Sequence, residues 1–320
     1  MIAMLTAALF AWVSAGMVPV AASSALVPPP NDPPAIPERF RLPAEPYSVT
    51  VRLKYELIES GVDVLEVTFP SAVQTAHAVN NTVHAELFRP RRPGARPTAV
   101  VLDILDGKGV VSRGEALWLA QHGIAALALT MPYYGARRPA NVPIRMMSTD
   151  VAQSVENARQ AVLDCRRAAN WLATLPTTDP TRLAIVGTSL GSFIGGVAAA
   201  VEPKFTRAAL LLGGGGLVDA FYDHPKARGL VSLLRYVGVT KESLRPIIAP
   251  ADPITYAPLL RQKQLLLIAA SQDEVVPPAA MRTLWEATGQ PQLIWYDATH
   301  VGAAIYAFPV MENVITFLKR

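Results

Sequence analysis

The longest periodic signal in the chain is a stripe of apolar positions. Val151, Val155, Ala158, Val162, Cys165, Ala169 and Leu172 are separated alternately by four and three residues, a spacing that puts all seven on one face of a helix. Around this helix, short apolar runs without polar alternation recur at Thr98–Leu105, Ile124–Thr130, Leu183–Val186, Ala208–Leu212, Leu265–Ala270 and Leu293–Tyr296. Runs of this kind suit strands buried on both faces, as parallel strands between helices must be. Val64–Phe69 and Thr82–Phe88 read as two more strands, and the connection between them ends in a polar turn at Asn80-Asn81. Further helices are expected at Ser112–His122, Leu190–Val201, Pro278–Thr288 and Val301–Lys319. The alternation predicts an α/β fold: a mostly parallel eight-stranded sheet with helices on both faces and its first pair of strands antiparallel at one edge. Residues 217–262 break the rhythm. They are expected to form a small cap over the C-terminal edge of the sheet, where ligands of such sheets bind.

The N-terminal region follows a different pattern. Ile2–Val27 carries no charge, and its apolar run is followed by small residues, Val20-Ala21-Ala22-Ser23-Ser24-Ala25. Small residues at these spacings suit signal-peptide cleavage after Ala22 or Ala25, so residues 1–25 are read as an export signal. No Lys or Arg precedes the run, and the first basic residue is Arg39. The rival reading is an uncleaved membrane anchor, although Ser14, Gly16 and Pro19 interrupt the span. Residues 26–46 hold eight prolines and are expected to be an extended tether. Residues 47–320 are then one domain, exported to the periplasm or secreted, with no stable membrane insertion once the signal is removed.

Composition narrows the possible functions. Hydrophobic residues make up 51% of the 320 and charged residues 17%, which excludes a disordered chain. The net charge is only +4 and no run of five like charges occurs, so nucleic acid is not an expected partner. The single cysteine, Cys165, excludes an intrachain disulfide and a multi-thiolate zinc site. It lies on the core stripe, where a buried, inert thiol is expected.

The chemistry centres on Gly187-Thr188-Ser189-Leu190-Gly191. This G-x-S-x-G run follows the strand Leu183–Val186 and opens the helix at Leu190. A nucleophile on such a turn needs a strained backbone and neighbours without bulk. A serine hydroxyl also needs a base, and the base needs an orienting group. Of the five histidines, only His300 sits in a loop at the C-terminal end of a late strand. His77 and His84 lie in the early hairpin, His122 at a helix end and His224 in the cap. Asp273 follows Leu265–Ala270 and is the acid in this reading, with Glu274 or Asp252 as alternatives. Asp273 could instead cap the helix beginning near Pro277. Tyr133-Tyr134-Gly135-Ala136-Arg137-Arg138-Pro139 follows the fourth strand and should border the same cleft. Tyr133 and Tyr134 would then touch substrate, and the arginines would grip an acidic one or simply belong to a shaped connection. No dinucleotide fingerprint, phosphate loop or His-Glu-x-x-His motif is present, so neither a cofactor nor a metal is expected.

With Ser189, Asp273 and the Val-Pro after it, and His300 each following a predicted strand, residues 64–319 resemble the α/β-hydrolase family, and most closely its dienelactone-hydrolase and acetyl-esterase-like branches. The resemblance implies Ser189 as nucleophile, His300 as general base and then acid, Asp273 as its partner, and the Leu190 N–H as one oxyanion donor. The chain departs from the family after the third strand. The usual His-Gly is replaced by Asp103-Ile104-Leu105-Asp106-Gly107-Lys108-Gly109, where Leu105 occupies the position of the second donor. The expected activity is hydrolysis of small-molecule carboxylic esters with short acyl chains. A peptidase or amidase on the same scaffold, or a non-catalytic binding protein, are the alternatives.

Overall fold

The chain is described by a computed structural model over residues 23–105, 107–222, 224–225, 232 and 238–320. Most of the expected export signal, residues 1–22, lies outside the described residues. Ten strands form one sheet: β1 (Ser23–Val27), β2 (Tyr47–Leu57), β3 (Val62–Pro70), β4 (Thr82–Pro90), β5 (Arg96–Leu102), β6 (Ala125–Leu129), β7 (Thr178–Thr188), β8 (Arg207–Leu211), β9 (Gln264–Ala270) and β10 (Gln292–Tyr296). Their spatial order is β1-β2-β3-β4-β6-β5-β7-β8-β9-β10. The ladders from β6 through β10 are parallel. Those joining β1, β2, β3, β4 and β6 are antiparallel.

The helices among the described residues are α1 (Val110–Gln121), α2 (Val151–Leu172), α3 (Leu190–Val201), α4 (Leu217–Phe221), α5 (Lys241–Ile248), α6 (Ala257–Leu260), α7 (Pro278–Ala287) and α8 (Ala307–Lys319). They cover both faces of the sheet. On one face Trp171 and Leu172 of α2, Ile194 and Val197 of α3 and Leu284 of α7 meet Val100, Leu127, Ile185 and Leu210. On the other, Leu119 of α1 and Val314 and Ile315 of α8 meet Val101, Ala128, Val186 and Ile268. Neighbouring positions along each central strand thus enter opposite cores, which is why these strands read as unbroken apolar runs. Cys165 is fully buried on α2 as its stripe requires, and burial pushes its thiol pKa up.

The fold class is as expected, and the sheet is larger by two antiparallel strands. β2 carries a legible alternation, with Val49, Val51 and Leu53 set against Ser48, Thr50 and Arg52. β1 pairs antiparallel with β2 from Ser23↔Val51 to Val27↔Tyr47, inside a stretch whose composition reads as leader and tether. β5 ends at Leu102, short of the expected Leu105, because the Asp103 carboxylate accepts the N–H groups of Gly109 at 2.6 Å and Ser112 at 3.2 Å. That turns the chain directly into α1. The expected helix Val301–Lys319 divides into a 3₁₀ turn at Gly302–Tyr306 and α8. No helix among the described residues is long and apolar enough to cross a membrane.

The Pro-rich segment 26–46 is not the free tether expected of it. Ile36 and Phe40 are buried in the main core. Asp32 forms a two-point ion pair with the wholly buried Arg166 of α2, at 2.6 and 3.0 Å. Arg166 also donates to the Phe40 carbonyl and to Glu202 at 3.0 Å. Proline withholds N–H groups from a ladder but leaves side chains free to anchor, and two buried apolar anchors contribute roughly 1.5–3 kcal/mol each.

Burial alone would raise the pKa of Asp32, but its hydrogen bonds from Arg166 and the Leu42 N–H outweigh this and lower it. A lowered carboxyl pKa adds stability that is present above the unfolded-state value near ~4 and is lost as pH falls through the folded-state value. Asp32→Ala is therefore expected to lower stability at pH 7 by about 1–3 kcal/mol. In thermal unfolding, the gap to wild type should narrow once the pH drops below ~4.

Candidate active site

Ser189 stands between β7 and α3 with φ 54° and ψ −114°, a positive φ that a side-chain-bearing residue holds only at some cost. The turn is over-determined by close packing. A Cβ on Gly187 would lie 2.1 Å from the Gly191 carbonyl oxygen, and one on Gly191 would lie 2.5 Å from the Leu102 carbonyl oxygen. Both glycines are thus sterically required, and α3 begins directly against the end of β5. The Ser189 N–H is held by the Leu211 carbonyl at 2.8 Å, so β8 fixes the turn from the other side.

The structure brings the three expected side chains together. His300 Nε2 lies 3.0 Å from Ser189 Oγ, and His300 Nδ1 lies 2.6 Å from Asp273 Oδ2. The second Asp273 oxygen accepts the N–H groups of Val275 at 2.8 Å and Val276 at 2.7 Å. Those backbone bonds leave one carboxylate oxygen for the imidazole and fix its direction. Asp273 and Ser189 are both buried. The two alternative acids have other partners. Glu274 accepts the backbone N–H of His300 at 3.0 Å and so holds the loop rather than the ring. Asp252 accepts the N–H groups of Leu217, Gly216 and Ile254 at 2.6, 3.0 and 3.1 Å, which pins the start of α4.

The remaining histidines lie elsewhere. The His122 ring contacts the Trp118 carbonyl, His77 packs edge-on to Tyr133, His224 packs on Phe221, and His84 is on β4. Leu190 is the first residue of α3, so its N–H has no intrahelical acceptor. Leu105 follows the segment that abuts Gly191, and its carbonyl accepts the Tyr134 hydroxyl at 2.7 Å.

Tyr133, with φ 61°, and Tyr134 border a cavity of about 330 Å³ together with Leu105. Their loop is tied from below. Arg137 is completely buried, pairs with Asp164 at 2.8 Å and donates to the carbonyls of Asn80 and Thr130. Asn80 in turn accepts the Tyr133 N–H at 2.9 Å. Arg137 is therefore a structural tie and cannot reach a substrate.

Glu115 of α1 was not visible as a site residue in the sequence. It accepts the hydroxyl of Thr188, the residue just before Ser189, at 2.7 Å, and its other oxygen is buried without a hydrogen-bond partner. Burial pushes its carboxyl up to about 7, the Thr188 hydrogen bond opposes that rise, and the nearby Asp103 carboxylate adds to it. Its position within α1 carries no motif, so only the folded packing of α1 against the end of β7 reveals it. No cluster of three or more His, Cys, Asp or Glu side chains able to hold a metal occurs among the described residues.

A sheet of this order with a glycine-flanked serine turn and helices on both faces is the α/β-hydrolase fold. The chain belongs to the alpha/beta hydrolase domain containing 18 family, whose model matches residues 42–212. The prolyl oligopeptidase family model matches residues 152–292. Two uncharacterized proteins of Mycobacterium tuberculosis, from strains CDC 1551 and H37Rv, are each 28% identical over 162 residues, or 48% of this chain. The match spans 36% of those relatives' length. Among solved structures, an acetyl xylan esterase from Paenibacillus sp. R4 superposes with a TM-score of 0.66 at 19% identity, covering 85% of this chain and 89% of that one. Acetyl xylan esterase 1 from Thermoanaerobacterium sp. JW/SL YS485 gives 0.62 at 16% identity, covering 84% and 87%. The Pyrococcus furiosus esterase Pf2001 gives 0.57 at 16% identity, covering 83% and 96%. At these identities the likeness is one of fold.

Glu115 yields a pH-dependent test. A carboxyl raised in the folded state stays protonated while the unfolded chain ionises, so the folded state loses stability as pH rises from about 4.3 toward 7. Glu115→Gln removes that penalty and keeps an acceptor for Thr188. The variant is expected to match wild type in thermal unfolding near pH 4. It should gain on wild type up to pH 7, by at most about 3 kcal/mol.

Proposed function

We propose that this protein is a serine hydrolase that cleaves carboxylic esters of short acyl chains through an acyl-enzyme. The observation that carries the reading is the continuous hydrogen-bonded run Ser189–His300–Asp273, with Ser189 on a strained turn. In this mechanism Ser189 Oγ attacks the acyl carbon while His300 Nε2 takes its proton. Asp273, bound to Nδ1, holds the ring in the needed tautomer and stabilises the imidazolium. The Leu190 N–H, at the positive end of α3, and the Leu105 N–H hold the oxyanion. His300 then protonates the departing alcohol, and water releases the acid by the same route.

Short acyl chains are favoured by the ground beside the nucleophile. Phe193, one turn beyond Ser189 on α3, packs with Val276, Leu217 and Phe221, a side-chain cluster close to the nucleophile that fits a short acyl group better than a long one. A second reading, a peptidase or amidase, is favoured by one observation, the prolyl oligopeptidase match over residues 152–292. Export remains part of the proposal. Cleavage after Ala22 would leave β1 whole, whereas cleavage after Ala25 would remove its first three residues, Ser23 to Ala25.

A fluorophosphonate reagent should label wild type at Ser189 and leave Ser189→Ala unlabelled. Ser189→Ala should lower p-nitrophenyl acetate hydrolysis by at least ~10⁴-fold. Faster turnover of aminoacyl-anilides than of p-nitrophenyl acetate would replace the esterase reading with the amidase one. Preference for long-chain over acetyl esters would overturn the short-chain assignment.

A further inference from the structure

The serine turn is held from three sides. At α3, Gly187 and Gly191 pack with no room for a β-carbon. At β8, Thr188 pairs with Leu211, whose carbonyl accepts the Ser189 N–H at 2.8 Å. The third hold comes from α1, where Glu115 Oε1 accepts the Thr188 hydroxyl at 2.7 Å, one residue before the nucleophile. The first two use backbone groups. The third depends on the identity of two side chains.

Packing does not account for a carboxyl at position 115. The residue keeps some exposure, yet its Oε2 is buried and has no hydrogen-bond partner. A buried polar atom without a partner is unfavourable in either protonation state. Burial favours the neutral acid, and the nearby Asp103 carboxylate adds to the penalty on the ionised form. An apolar side chain of similar size would fill the position without that penalty, so the bond to Thr188 is what the carboxyl contributes.

Glu115 is also rigidly mounted. Asp103, just past the end of β5, accepts the N–H groups of Gly109 and Ser112 and so fixes the first turn of α1, one turn before Glu115. The Asp103 carbonyl lies against Gly191 at the start of α3, where a Cβ would come within 2.8 Å of it. The helix that carries Glu115 and the helix that begins at the nucleophile are thus anchored on the same residue. A group mounted in this way can hold a reacting atom to the tolerance catalysis needs, and a displacement of about 1 Å can cost about a hundredfold in rate.

We propose that Glu115 is a positioning residue for the nucleophile: through Thr188 it holds the turn in the orientation in which Ser189 Oγ meets His300 Nε2 at 3.0 Å. The inference rests on the serine-hydrolase reading and adds to it a residue that acts through Thr188.

The test follows p-nitrophenyl acetate hydrolysis in Thr188→Val, Thr188→Ser, Glu115→Leu, Glu115→Gln and Thr188→Val/Glu115→Leu. Each rate is divided by the number of sites that a saturating fluorophosphonate reagent labels, so loss of folded protein does not enter kcat. Thr188→Val and Glu115→Leu are expected to lower kcat by about ten- to a hundredfold with KM within about twofold of wild type. Thr188→Ser and Glu115→Gln keep a donor and an acceptor and should stay within about threefold. The double variant should be no slower than the slower single, because both remove one bond. Thr188→Val leaves α1 intact and carries the test where Glu115→Leu does not fold. Unchanged kcat per labelled site with only a lower melting temperature assigns the pair a structural role and overturns the proposal. A rise in KM at constant kcat, or a Glu115→Gln variant as slow as Glu115→Leu, also overturns it. Wild type that stays unlabelled at Ser189 overturns the hydrolase reading and this inference with it, whereas labelling with unchanged rates overturns the inference alone.

Discussion

The site depends on how closely α3 approaches the ends of β5 and β7. Gly187 and Gly191 leave no room for a β-carbon, the first against the Gly191 backbone and the second against the Leu102 carbonyl. This contact forces Ser189 into a positive φ, and the Leu211 carbonyl holds its N–H there. The strain at Ser189 is sustained by a parallel sheet buried on both faces. The same approach sets the first turn of α3 against the Leu102 and Asp103 carbonyls at the end of β5. The serine turn, the N-terminus of α3 and the end of β5 are therefore parts of a single packing arrangement.

Asp273 and His300 arrive from far along the chain, and their placement is set by backbone hydrogen bonds more than by the side chains themselves. Asp273 spends one oxygen on the Val275 and Val276 N–H groups and so presents the other to His300. Glu274, its neighbour, holds the His300 main chain. The loops after β9 and β10 are thus tied to each other before the imidazole reaches Ser189. This explains why an acidic pair in sequence divides into one group that orients the ring and one that orients the loop.

The legible parts of the molecule were those governed by short-range rules. The stripe on α2 and the unbroken apolar runs of β5 to β9 follow from burial alone. The serine turn, Asp273 and His300 each stand just after such a run, so finding the strands located them. What the sequence concealed depends on long-range packing. The segment 26–46 reads as a tether because proline dominates it, yet Asp32, Ile36 and Phe40 meet Arg166 and the core only after α2 has folded. Edge strand β1 is defined by its partner β2 and has no strong pattern of its own. Glu115 sits on a helix with nothing to single it out until Thr188 is seen beside it.

The loop after β6 shows how one short run can divide its labour. Tyr133-Tyr134-Gly135-Ala136-Arg137-Arg138 holds two adjacent arginines with opposite fates. Arg137 turns inward, where Asp164, Asn80 and Thr130 satisfy it in a fully buried site. Arg138 turns outward to the cavity. A buried cation is sustainable only when paired and fully hydrogen-bonded, and that requirement commits α2 and the Asn80 turn to the loop's position. Tyr134 then carries the constraint onward, since its hydroxyl bonds the Leu105 carbonyl and its ring packs where a Gly107 side chain would be. The loop after β5 lacks the His-Gly that the family resemblance leads one to expect, and it is held instead by contacts from the neighbouring strand's loop. A rigid inner arginine thus sets the place from which the outer one, and Leu105 beside it, face the same cavity.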